Sequence, residues 1–202
     1  MIPEMRKRAR SLARRPSQAN IIAGFLLIGW GGKEALESGT LITNSDFRKI
    51  LVGTSDSLRT QVLWQLRQWA FGNEDQLCER VLPFLHDVWP RHRALKTPLL
   101  SSHLVELALN SGDLFPDVVV AILPRLVPIR GGHLRIALDV GDERHLARRF
   151  PSSMLELLWA ILADDVSQWP YKATDILGLL ETAPETVADP RLSELRRRRA
   201  QY

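Results

Sequence analysis

One phrase recurs along this chain and narrows what it can fold into. It reads Leu82-Pro83-Phe84-Leu85-His86-Asp87-Val88-Trp89-Pro90 first and Leu162-Ala163-Asp164-Asp165-Val166-Ser167-Gln168-Trp169-Pro170 last. In both, a Leu stands seven residues before a Trp-Pro pair, and the pairs lie eighty residues apart. A looser copy, Ile122-Leu123-Pro124-Arg125-Leu126-Val127-Pro128, falls midway, and Phe115-Pro116 and Phe150-Pro151 each open an apolar run. A period near forty residues is that of helix-pair repeats. Leu is the dominant apolar residue and long β-branched runs are scarce, which favours helix. The expectation is an all-α fold, an irregular helix-pair repeat (a HEAT-like α-solenoid) of about nine or ten helices.

Charge divides the 202 residues into three stretches. Residues 1–16 carry Arg6, Lys7, Arg8, Arg10, Arg14 and Arg15 against Glu4 alone, and read as a basic N-terminal arm. Residues 17–188, the expected helical-repeat domain, hold 16 basic and 20 acidic residues. Residues 189–202 carry Arg191 and Arg196 to Arg199 and read as a basic C-terminal helix packed on the repeat domain. The alkaline pI therefore describes two ends, and the body is mildly acidic. The lone Cys78 excludes an intramolecular disulfide and a Cys-based zinc site, and fits a reducing, cytoplasmic compartment.

The run Ile21 to Trp30 follows the basic arm, which is also the layout of a secretory signal. No small-x-small cleavage site follows in Gly31-Gly32-Lys33-Glu34-Ala35, and Arg14-Arg15 lacks the rest of a twin-arginine context. The run is too short to span a bilayer, which takes about twenty residues. It reads as a buried core helix, with a membrane-tethered or exported protein using residues 6–30 as the alternative.

Helix starts and stops are marked further on. Thr43-x-x-Asp46 is a capping-box-like start, Asp56 or Ser57 opens a longer helix, and Gly72-Asn73 stops it. Leu77, Val81, Leu82 and Leu85 form the next stripe, with Pro83 at a kink. Arg91 to Pro98 reads as a basic linker, and Leu99 to Leu109 as a helix capped by Ser101 or Ser102. Val118 to Leu126 fits a helix or a strand bracketed by Pro116 and Pro124. Pro151 opens a helix whose Leu157 and Trp159 widen its apolar face toward burial on most sides. Asp189-Pro190 is a cap followed by a first-turn proline. Trp89 and Trp169 read as structural wedges at the helix corners.

The chain offers little chemistry. Gly29-Trp30-Gly31-Gly32-Lys33 has the wrong spacing for a phosphate loop and no following Ser or Thr. The metal candidates, Asp139-x-x-Asp142-Glu143-x-His145 and His86-Asp87 with His92, are not helix-phased like a zinc motif. Asp164 and Asp165 are adjacent, so on a helix end they point in different directions, a polar corner more than an acid–base pair. No Ser lies in a nucleophile elbow, and Cys78 has no flanking His. No catalytic residue, cofactor or metal is expected. Arg196, Arg197, Arg198 and Arg199 remain: a solvated helix end that favours the dipole, or a contact to phosphates that would weaken with salt.

Leu58-Arg59-Thr60-Gln61-Val62-Leu63-Trp64-Gln65-Leu66, Leu85 to Pro90, Phe150-Pro151, Trp169-Pro170-Tyr171 and Asp189-Pro190-Arg191-Leu192-x-x-Leu195 together carry a resemblance. They resemble the C-terminal helical region of large multidomain bacterial proteins, some of which carry SIR2-like or P-loop NTPase domains and are linked with antiphage defence. The resemblance spans roughly residues 20–200 and rests on helical-repeat phrases. Enzymatic domains of such proteins lie upstream, so no catalytic residue carries over. It implies a stand-alone or truncated sensing or scaffolding region. The expected function is a non-catalytic protein-interaction module with another protein as partner. The alternative is a nucleic-acid-binding accessory protein using the basic ends.

Overall fold

The structure, a computed structural model, describes residues 18–30, 42–129, 138 and 145–201. The basic arm 1–16, Gly31 to Lys33, and Asp139, Asp142 and Glu143 lie outside the described residues. Among the described residues there are ten α-helices and no strand; Ile129 and Leu162 form an isolated parallel bridge. No helix among them is long and apolar enough to cross a membrane. The chain forms two compact units, Met1–Leu95 and Lys96–Tyr202, and the division falls within the basic Arg91–Pro98 segment.

The first unit holds α1 (Ala19–Trp30), α2 (Asn44–Val52), α3 (Asp56–Ala70) and the short α4 (Glu74–Gln76). Thr43 caps α2 as its sequence implies, its hydroxyl accepting from the Asp46 N–H at 3.2 Å. Beyond α4 the chain continues as wide, π-type turns over Leu77–Val81 and Phe84–Val88. Pro83 sits between them: it has no N–H to give the Glu79 carbonyl and its ring crowds that turn, so the helix widens instead of breaking. The widened turns place Phe84 edge-on to both Trp30 (5.2 Å between ring centres) and Phe47 (5.1 Å). Trp89 is buried 6.4 Å from the same ring, while Trp30 Nε1 donates to Asn44 Oδ1 at 2.7 Å. Edge-to-face pairs of this kind contribute about 0.5–1.5 kcal/mol each beyond their area.

Arg59, only 6% exposed, ties this unit together. Its Nε donates to the Leu51 carbonyl at 2.8 Å and its Nη2 to the Val52 carbonyl at 3.1 Å, capping the end of α2. Its Nη1 reaches the Ala94 carbonyl at 2.8 Å and Asp56 Oδ1 at 2.6 Å. One guanidinium thus closes a helix end, a loop and the first turn of α3. The planar five-donor fork makes this possible, and Lys could not reproduce it.

The second unit holds α5 (Pro98–Leu109), α6 (Phe115–Ile122), α7 (Leu146–Arg149), α8 (Pro151–Ile161), α9 (Tyr171–Leu180) and α10 (Pro190–Ala200). The cap of α5 is Thr97, whose hydroxyl accepts from Leu100 N at 3.3 Å; it is neither Ser101 nor Ser102. Pro98 takes the first helical position, which pushes both serines inside the helix. There Ser101 Oγ accepts from the Val127 N–H at 3.0 Å, and Ser102 Oγ donates to the Leu99 carbonyl at 2.8 Å. The Val118 run is helix within α6, followed by a 3-10 turn at Leu123–Arg125 where the midway phrase falls. Helix α8 packs on α6, and α10 packs on α8 and α9. Asp189 caps α10 by accepting from Arg191 N at 2.8 Å, and its bond to the Arg191 side chain holds its carboxyl below the usual range.

The two Trp-Pro phrases are not equivalent. Trp89 is fully buried, whereas Trp169 is half-buried and donates its Nε1 proton to the Ala163 carbonyl at 2.7 Å. Each holds the chain just before it, one by apolar packing and the other by a hydrogen bond.

Arg59→Met should lower stability in urea unfolding by about 2–4 kcal/mol, because several buried carbonyls lose their donor at once. Asp56→Asn, at a partly exposed partner, should cost under about 1 kcal/mol. Gly72 follows α3 at φ 68°, so Gly72→Ala should cost about 1 kcal/mol in the same measurement.

Candidate interaction surface

The four terminal arginines stand on α10, and three face carboxylates. Arg196 Nε lies 3.1 Å from Glu181 Oε1, and Arg197 grips both oxygens of Glu194 at 2.8 Å. Arg198 reaches Glu194 Oε1 at 2.9 Å and Asp164 Oδ1 at 2.7 Å, with its guanidinium carbon 5.3 Å from the centre of the Trp159 ring. Arg199 is exposed and has no ion pair among the described residues. The cluster is four arginines against three acids, so its net field is near one positive charge. Two arginines hold the Glu194 carboxyl at about 2, below its ordinary 4.5, through hydrogen bonds to Arg197 first and Arg198 second. The pairs are exposed, and pairs of that kind add little stability; their effect is to spread and cancel charge.

The adjacent acids are likewise engaged. Asp164 projects into solvent, 96% exposed, toward Arg198. Asp165 caps a 3-10 turn, accepting from Ser167 N at 2.9 Å and Ser167 Oγ at 2.7 Å. The two carboxylates do not converge, as their adjacency implies. A shallow cleft of about 350 Å³ lies over them, lined by Pro128, Ala163, Asp164, Asp165 and Gln168. Helix α8 is buried on most sides, and Trp159 on its exposed side lies beneath the Arg198 guanidinium.

Of the metal candidates, His145 opens α7 in the left-handed conformation at φ 54°. His86 is exposed, and His92 Nδ1 accepts from the Ala94 N–H at 3.2 Å. Among the described residues, no three His, Cys, Asp or Glu side chains gather where a metal could bind.

The surface that the sequence reading passed over is apolar. Nine large hydrophobic residues are exposed among the described ones, and five of them lie on α1 and at α3: Ile21, Phe25, Ile28, Trp64 and Phe71. Helix α1 buries Ala19, Ile22, Ala23, Leu26, Leu27 and Trp30, as a core helix should. Its other side presents Ile21 (76% exposed), Phe25 and Ile28 (77%) at i, i+4 and i+7, one continuous stripe. The run is thus apolar all round but covered on one side. Trp64 and Gln68 on α3 are exposed too, as is Phe71 just past its end. The helices pack on each other, and Asn20 Oδ1 accepts from Gln65 Nε2 at 3.1 Å along their seam.

No protein-family model matches the chain, and no solved structure matches it. The chain is similar to an uncharacterized protein, y4cA, of Sinorhizobium fredii (strain NBRC 101917 / NGR234), at 25% identity over 166 residues. That match covers 77% of this chain and 14% of y4cA, so this chain spans about one seventh of the length of that relative.

Carboxyl-detected NMR should place the Glu194 midpoint at about 2. Its folded value is depressed, so the pairing's contribution to stability is fully present above the ordinary 4.5 and is lost as pH falls through about 2. Glu194→Gln should abolish that low titration and leave Arg197 and Arg198 more mobile in their side-chain relaxation.

Proposed function

We propose that this chain is a non-catalytic protein-interaction and scaffolding module of the helical-repeat kind, related to the helical regions of large multidomain bacterial proteins and working in the cytoplasm. Its contact surface is the outer face of α1 and α3. The observation that carries this reading is the concentration there of five of the nine exposed large hydrophobic residues. Single exposed apolar residues are ordinary on a monomer, whereas spaced stripes on two touching helices mark a surface meant to be covered. Helix α1 has no charged residue at all. Similarity to a small part of a far longer protein supports the same reading, since repeat regions serve as parts of larger assemblies.

The arginine end of α10 is not given the working role. Three of its four guanidiniums face Glu181, Glu194 and Asp164, so phosphate contacts would first have to displace those acids.

The double variant Phe25→Ser/Trp64→Ser should keep the wild-type far-ultraviolet circular dichroism, because both side chains are exposed. Affinity capture from native cytosol at high salt should recover a stoichiometric protein partner with the wild type and about tenfold less with the variant. Equal recovery would remove this face from the function.

A further inference from the structure

Helix α10 is held unevenly along its length. Its buried side chains, Leu192 and Leu195, lie in the half nearer its start, and the helix packs on α8 and α9. The next position of that stripe, four residues on, is Arg199, which is exposed. From Arg196 to Ala200 no side chain is buried. The outer half of the helix therefore reaches its neighbours through guanidinium groups and not through apolar packing.

Those groups straddle the helix. At about 100° of rotation per residue, Arg191 and Arg198 share one flank of the leucine stripe, and Arg196 stands on the other. On the first flank Arg191 Nη1 lies 3.7 Å from Glu156 Oε1 of α8. On the same flank Arg198 Nη1 reaches Asp164 Oδ1, just past the end of α8, at 2.7 Å, with its head over the Trp159 ring. On the second flank Arg196 Nε meets Glu181 Oε1, at the end of α9, at 3.1 Å. Two charged arms thus brace the outer half of α10 against the ends of both helices that carry it. Each exposed pair adds little to global stability, but local opening of this half has little else to overcome.

We propose that the outer half of α10, residues 196–201, is a strap latched by charge, which ionic strength releases to uncover Trp159 and the ends of α8 and α9. Its latches are exposed pairs between separate elements, the kind that salt screens most readily. A helix end of this length does not hold itself in water once it leaves its support, so release is read as lost amide protection. The strap lies wholly within the second unit and does not depend on the docking proposed for α1 and α3.

The test uses the full chain and follows amide hydrogen exchange by NMR, with the Trp159 indole N–H signal assigned by its loss in Trp159→Phe. Raising salt from about 0.05 to about 0.5 M should speed exchange at residues 196–200 about tenfold and move the Trp159 signal, while α8 stays protected. Asp164→Asn/Glu181→Gln leaves the sequence of α10 untouched. It should show the fast exchange already at low salt and respond little to more. Arg197 pairs with Glu194 and Gln201, both on α10 or at its end, so Arg197→Gln should keep exchange within about twofold of wild type. Unchanged low-salt exchange in the double variant would overturn the strap, because the acids beneath the helix would not be what holds it. Equal opening in Arg197→Gln and in the double variant would also overturn it, as plain fraying of a helix end.

Discussion

The first unit depends on a buried charge that has no buried counter-ion. Arg59 sits almost wholly inside, and its nearest acid, Asp56, is more than a third exposed. Its compensation comes mainly from three backbone carbonyls, at Leu51, Val52 and Ala94. Two of these belong to the last turn of α2, where the dipole concentrates negative charge and carbonyls lack intrahelical donors. The guanidinium and the helix end thus solve each other's problem. Removing either leaves the other desolvated and unpaired, which makes α2, α3 and the Ala94 loop one cooperative structure.

Much of this was legible in the chain, and the illegible parts share a cause. Thr43, Asp189 and Gly72 do what their local chemistry dictates, because caps and turns are decided within a few residues. Thr97 was missed in favour of Ser101 and Ser102, although Pro98 beside it was the stronger signal: a first-turn proline fixes the cap one residue earlier. Arg59 gave no signal at all. Its partners are carbonyls at sequence distances of 7, 8 and 35 residues, and carbonyls have no letter in a sequence.

The apolar surface was hidden for a different reason. Periodicity reveals a buried face only by contrast with a polar one, and Ile21 to Trp30 offers no polar side to set the phase. An all-apolar helix reads as buried whether one face or two are covered. The arginines of α10 show the converse: as letters they are four like charges, and in the fold Glu181, Glu194 and Asp164 stand beside them. In both places sequence shows the composition of a surface, and the fold decides its sign and exposure.

Magnitudes indicate how much the exposed face of α1 and α3 could contribute to the docking proposed for it. Covering a large apolar side chain fully contributes about 1.5–3 kcal/mol, and the five here are partly buried already, so the gross gain is on the order of 5–10 kcal/mol. Bimolecular association costs about 4–15 kcal/mol in lost freedom before side-chain ordering is counted. A partner that covered this face alone would be held weakly, so one retained at high salt would have to touch the molecule elsewhere as well.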